Sequence, residues 1–81
     1  MKFYAYILKS KLNGKHYYGH SKNVEHRLKE HNNGKVRSSK PYRPYELIYS
    51  EEFKSKSEAY KKEMFFKSIE GYRYLKDKNI I

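Results

Sequence analysis

The chain contains no cysteine, which excludes disulfide staples and thiolate metal sites and points to a reducing, intracellular setting. It also lacks tryptophan and holds only two prolines. Nowhere do about 18 apolar residues run together, as a membrane-spanning helix requires. Met1-Lys2-Phe3-Tyr4 does not open the apolar stretch of a secretory signal. The expectation is a soluble, cytoplasmic protein with no membrane partner. Acidic residues are scarce too: nine Asp and Glu face nineteen Lys and Arg, for a formal net charge of +10. So strong a field on a small body calls for polyanionic partners.

With 81 residues the chain has material for one domain, residues 1–81. At this length roughly 60 to 65% of the unfolded surface is hidden on folding, so the core is thin. What is abundant is tyrosine, ten copies beside four phenylalanines, interleaved with the cations. Cations for phosphates and aromatic faces for unpaired bases are the ingredients of nucleic-acid binding. Basic surfaces also aid solubility or meet anionic membranes, and aromatics also fill cores. Nucleic acid is the partner that composition favours.

Phe3 to Leu8 carries aromatic and branched side chains on both alternations, which predicts a central strand. Asn13-Gly14 is a strong hairpin signal and returns Lys15 to His20 as a second strand. Ser21 or Asn23 can cap a helix that runs to Asn32 or Asn33, where Gly34 supplies a left-handed stop. Gly34 to Pro44 is cationic and twice broken by proline, so an exposed loop is expected there. Its Lys35, Arg37, Lys40 and Arg43 are candidate phosphate contacts, and His20 joins them from the second strand. Tyr45 to Phe53 reads as a third strand that exits to solvent at Glu51 and Glu52. Ser55-Lys56-Ser57-Glu58 fits a capping box that opens a helix through about Ile69. Gly71 ends it, ahead of a short final helix near Tyr72 to Lys78.

A hairpin loop with an even number of residues, whether Asn13-Gly14 or Lys11 to Gly14, puts Tyr6, Tyr17 and Gly19 on one face. With the longer loop Gly19 lies opposite Tyr6, and its missing side chain is expected to leave space above that phenol. At about 100° per residue, Val24, Arg27, Leu28 and His31 share one arc of the first helix. Arg27 therefore borders a buried stripe, and an anion in a cleft would account for a cation there. The same projection sets Glu63 among Ala59, Tyr60, Phe66 and Lys67 on the inward side of the later helix. Magnesium suits a lone carboxylate, because it completes its shell with water and phosphate. Singly, each residue has an ordinary explanation: the tyrosines as core, Arg27 paired with Glu30, Glu63 paired with Lys67. A site built from His16, His20, His26 and His31 converges poorly, the first two standing about 13 Å apart along one strand.

Taken in order, Tyr4-Ala5-Tyr6, Tyr17-Tyr18-Gly19, Arg27, His31 and Glu63 resemble the GIY-YIG nuclease superfamily, most of all its small one-domain bacterial members. The likeness spans most of the chain and includes Asn13-Gly14-Lys15, the run Arg27 to Asn32, and Ser57-Glu58-Ala59 ahead of Glu63. It implies an α+β fold, a three-stranded antiparallel sheet flanked by helices in the order β-β-α-β-α-α. It further implies that both tyrosines, the arginine and a metal-binding glutamate meet beside the first two strands. His31 matches a position often histidine in the short members, and Gly19 closes the second motif. The first motif here reads Tyr-Ala-Tyr, Tyr18 fills the middle of the second, and His20 stands where some relatives carry lysine. No equivalent of the family's downstream asparagine is placed.

The expected function is metal-dependent endonucleolytic hydrolysis of phosphodiester bonds, in DNA ahead of RNA and in structured or branched DNA among the options. Glu63 would hold one Mg²⁺ or Mn²⁺, Arg27 would grip non-bridging oxygens, and Tyr6 or Tyr17 would take a proton from water. A phenol of pKa about 10 needs help for that, from Arg27, the metal, His20 or His31. No cofactor beyond the metal is expected. The competing expectation is a non-catalytic nucleic-acid-binding module that keeps the fold and the basic surface.

Overall fold

Aromatic and branched residues on either side of Asn13-Gly14 form a hairpin of β1 (Phe3–Ser10) and β2 (His16–Ser21). This computed structural model describes all 81 residues. β3 (Tyr45–Phe53) pairs with the other edge of β1, giving an antiparallel sheet in the order β2-β1-β3. β1 is central, and Ala5, Tyr6, Ile7 and Leu8 are all buried because both sheet faces are covered. The hairpin loop is the four-residue one: Lys9 faces His16, and the Ser10 N–H donates to the Lys15 carbonyl at 2.8 Å. Gly14 takes the left-handed turn conformation at φ +75°.

α1 (Val24–Asn32) starts at Asn23 rather than Ser21, the Asn23 side chain accepting from the His26 N–H at 3.0 Å. Gly34, at φ +77°, follows its end. α1 packs on the sheet face that carries Tyr6 and Leu8, where Tyr17, Val24, Leu28 and Tyr45 complete the layer. The Asn32 amide holds the end of α1 to β3 by bonding both the N–H and the carbonyl of Tyr45, at 2.6 and 3.1 Å. α2 (Lys56–Phe66) and α3 (Ile69–Asp77) cover the opposite face, closing over Ala5 and Ile7 with Phe66 and Leu75.

Three sequence expectations change. α2 ends at Phe66, not near Ile69, because the Ser68 hydroxyl accepts the Gly71 N–H at 3.0 Å and so caps a new helix. Gly71 does not stop a helix at all: it lies buried in the first turn of α3, where an added Cβ would overlap the Phe65 carbonyl. The Gly34 to Pro44 segment is not wholly exposed either. It makes a 3₁₀ turn over Lys40–Tyr42 and buries Ser39 completely. No helix is long and apolar enough to cross a membrane.

Candidate active site

The four-residue hairpin loop sets Tyr6 directly opposite Gly19. The phenol lies across that glycine, so an added Cβ would overlap the Tyr6 hydroxyl and ring. The open space expected above Tyr6 is thus filled by Tyr6 itself, and Gly19 serves as its seat. Tyr6 is 2% exposed and needs a partner for its hydroxyl. It finds one in α1, where His31 Nε2 stands 3.1 Å away.

His31 is fully buried and is packed by aromatic rings: Tyr17 with centroids 4.7 Å apart, Tyr45 at 5.9 Å and Tyr6 at 6.1 Å. Its other nitrogen, Nδ1, lies 2.6 Å from the buried Ser39 hydroxyl. Burial pushes the Tyr6 phenol up to about 12; the Arg27 cation opposes that rise, and the charges of Tyr17 and Glu63 add to it. Burial also drives His31 down to about 4, helped by Arg27 and opposed by Glu30. Both groups therefore rest neutral at pH 7.

This has a consequence for stability. The unfolded chain protonates His31 near its ordinary value of 6.5, the folded chain only near 4. Between those values the unfolded state binds more protons, so stability falls as the pH drops through that window. Between pH 7 and pH 4.5 the loss is on the order of 2 kcal/mol, since one pKa unit is worth about 1.4 kcal/mol and pH 4.5 stops short of the folded-state value. Melting curves of the wild type and His31→Asn at pH 7 and pH 4.5 measure it. The wild type is expected to lose more than the variant; equal losses would remove His31 as the cause.

Arg27 projects from α1 with its side chain 37% exposed and binds Glu30 Oε1 at 3.2 Å. Burial works against its charge, yet the adjoining Tyr6 oxygen and Glu30 together hold the guanidinium protonated. On the opposite sheet face, α2 directs Glu63 inward beside Ala59 and Phe66, where it is 7% exposed. Both of its oxygens are engaged: Oε1 meets His20 Nδ1 at 2.6 Å and Oε2 meets Lys67 Nζ at 2.7 Å. A cleft of about 440 Å³ opens around the free edge of β2, lined by Phe3, His20, Ser21, Lys22, Arg27, Glu30 and Lys56. Arg27 enters it from α1 and Lys56 from α2, so the cleft joins the two sides of the sheet.

The GIY-YIG catalytic domain model matches residues 2–74. The chain belongs to the GIY-YIG family. It is 42% identical over 76 residues to the UPF0213 protein SSP2268 of Staphylococcus saprophyticus, covering 93% of this chain and 92% of that one. It is 39% identical over 67 residues to the UPF0213 protein YazA of Bacillus subtilis, covering 82% and 67%. The solution NMR structure of the UPF0213 protein BH0048 from Bacillus halodurans matches it with a TM-score of 0.56 and 32% identity, over 95% of this chain and 84% of that one. The three-stranded antiparallel sheet with three helices is thus a GIY-YIG fold.

Within this GIY-YIG domain the sequence-derived residues fall into three groups. Tyr6, Gly19, Arg27 and His31 form one connected cluster on the α1 side. Glu63 and His20 form a second on the α2 side, linked to the first through the cleft at the β2 edge. Only Arg27 and His20 of the candidates line that cleft; Tyr6 is buried and is not part of its lining, and Tyr17 turns its hydroxyl toward Ser38 at 3.5 Å. Lys35, Arg37, Lys40 and Arg43 are exposed and free of ion pairs, spread along the loop after α1. Tyr60 and Lys67, expected inward, are about half exposed, because the buried side of α2 is only as wide as Ala59, Glu63 and Phe66. Sequence reasoning missed Ser39, which has no periodic signal inside its loop, and Lys56, hidden as one lysine among many. The Tyr60 ring packs edge-on against His20, centroids 5.6 Å apart, a contact that its expected place beside Glu63 does not reveal.

Proposed function

We propose that this chain is a metal-dependent endonuclease that hydrolyses phosphodiester bonds, in DNA before RNA and with structured or branched DNA among its substrates. A GIY-YIG domain is a nuclease domain, and the net charge of +10 suits a polyanion. The observation that carries the proposal is a 7% exposed carboxylate, Glu63, held one histidine away from a cleft that Arg27 enters from the other side. Structural economy alone would not bury a carboxylate there.

No group of three or more His, Asp or Glu side chains converges to cage an ion. The donor chemistry fits a hard divalent cation held by one carboxylate, which keeps its remaining places for water and substrate phosphate. Glu63 would hold it, with half-exposed Lys67 giving up its place on Oε2. Mg²⁺ or Mn²⁺ there would supply Lewis-acid charge beside the scissile phosphate and its departing oxygen. The chain's own groups do the rest. Arg27 exchanges Glu30 for the non-bridging oxygens, which its planar fork matches. Lys56 and Lys22 line the approach, and the cations from Lys35 to Arg43 hold the flanking strand. Tyr6 is the proton acceptor we favour over Tyr17, because a histidine nitrogen stands ready to receive the proton that Tyr6 must shed.

One observation favours the rival, a non-catalytic binding module: both oxygens of Glu63 already have hydrogen-bonding partners, the His20 ring and the Lys67 ammonium. A panel of labelled duplex, single-stranded, flap and branched DNA and RNA, incubated with Mg²⁺ or Mn²⁺, separates the two. Metal-dependent product supports the nuclease. Salt-sensitive binding to every substrate with no product under any metal establishes the module instead.

A further inference from the structure

The His31 ring has two nitrogens and two fixed neighbours, and the donors among them can be counted. The Ser39 hydroxyl donates to the Val36 carbonyl at 3.3 Å. With its single proton placed there, Ser39 accepts from His31 Nδ1, 2.6 Å away. Nδ1 then carries the hydrogen. In a neutral imidazole Nε2 is then bare, and the Tyr6 hydroxyl 3.1 Å away is the donor to it. No other side chain offers His31 a hydrogen bond.

We propose that Ser39 is a positioning residue that sets the tautomer of His31, and so makes Nε2 the acceptor of the Tyr6 proton. The proposal rests on the nuclease reading for its catalytic half. In the reaction, Tyr6 gives its phenolic proton to Nε2 as it takes one from the attacking water. The bond from that oxygen to phosphorus forms, the bond to the leaving alkoxide breaks, and solvent protonates the alkoxide while Nε2 hands its proton back to the Tyr6 oxygen, whose own proton passes to water. Without Ser39 the ring is free to adopt the Nε2–H tautomer, which free histidine prefers. Nε2 would then be a donor facing Tyr6, and the phenol would have nowhere to send its proton. Ser39 lies on the loop after α1, eight residues beyond His31, and both are fully buried, so solvent cannot substitute for either partner.

The test is the ¹⁵N spectrum of the His31 ring at neutral pH, recorded with cleavage rates for the wild type, Ser39→Ala and Ser39→Thr. The wild type is expected to show a protonated Nδ1 and a bare Nε2. Ser39→Ala shifts the ring toward Nε2–H and slows cleavage on the order of tenfold or more, a hydroxyl orienting the ring less strongly than a carboxylate does. Ser39→Thr keeps the hydroxyl and restores both. A wild-type ring protonated on Nε2, or a Ser39→Ala ring identical to the wild type, overturns the proposal. Should Ser39→Ala lose its folded amide spectrum, Ser39→Cys, close in size and a weak acceptor, takes its place with the same expected shift. If the wild-type protein cleaves nothing, the nuclease reading falls, and the ring spectra still decide for or against Ser39.

Discussion

Replacing Glu63 by Gln is expected to lower the cleavage rate by on the order of 10²-fold or more, yet to leave the chain folded and bound to nucleic acid. The amide keeps the volume of the carboxylate among Ala59 and Phe66, and its oxygen still accepts from His20 Nδ1. What is lost is the one buried carboxylate, the group proposed to hold a divalent ion beside the cleft. Removing it raises the net charge above +10, so binding to a polyanion does not weaken and its salt dependence stays near the wild-type slope. Cleavage rates measured against Mg²⁺ or Mn²⁺ concentration, beside binding in EDTA, check both halves. Undiminished cleavage by Glu63→Gln would leave Glu63 with only its pairs to His20 and Lys67, as an ordinary helix carboxylate.

Much of this arrangement was legible in the chain before any coordinates. Asn13-Gly14 fixed the loop to an even length, and side-chain alternation then placed Tyr6, Tyr17 and Gly19 on one face. The 3.6-residue period set Arg27 at the margin of α1 and His31 inside it. The later helix showed Glu63 as its odd inward carboxylate. Each of these follows from a local repeat that the sequence displays directly.

Partners across long separations were not legible. His20 meets Glu63 over 43 residues, and nothing in either segment says which of the four histidines would do so. Ser39 looked like any polar residue in a cationic loop, since its burial depends on how Asn32 and Ser10 tie that loop to β3 and the hairpin. Gly71 was misread because a glycine near a helix end usually stops it. Here the helix had already ended at Phe66, and the glycine instead lets α3 approach the Phe65 carbonyl. Tyr6 on Gly19 was the instructive case: the register was right and the empty space was wrong, because a side chain as large as tyrosine fills the gap opposite a glycine in a close-packed interior.

Arg27→Ala is expected to cut cleavage by about 10²- to 10³-fold, the usual cost of losing one preorganised donor to a developing negative charge. Arg27→Lys should recover only part of it, because an ammonium keeps the charge but not the planar fork. The same substitution has a second signature that no surface arginine would give. Arg27 holds the Tyr6 phenol below where burial alone would put it, and it presses His31 downward. Without it, Tyr6 rises further and His31 moves back toward 6.5, so the acid destabilisation between pH 6.5 and 4 shrinks. Melting curves across that window, set beside cleavage rates, test the two effects on one protein. A slowed enzyme with an unchanged acid response would place Arg27 on the phosphate alone; an unchanged rate would return it to its pair with Glu30 and take the guanidinium out of the reaction.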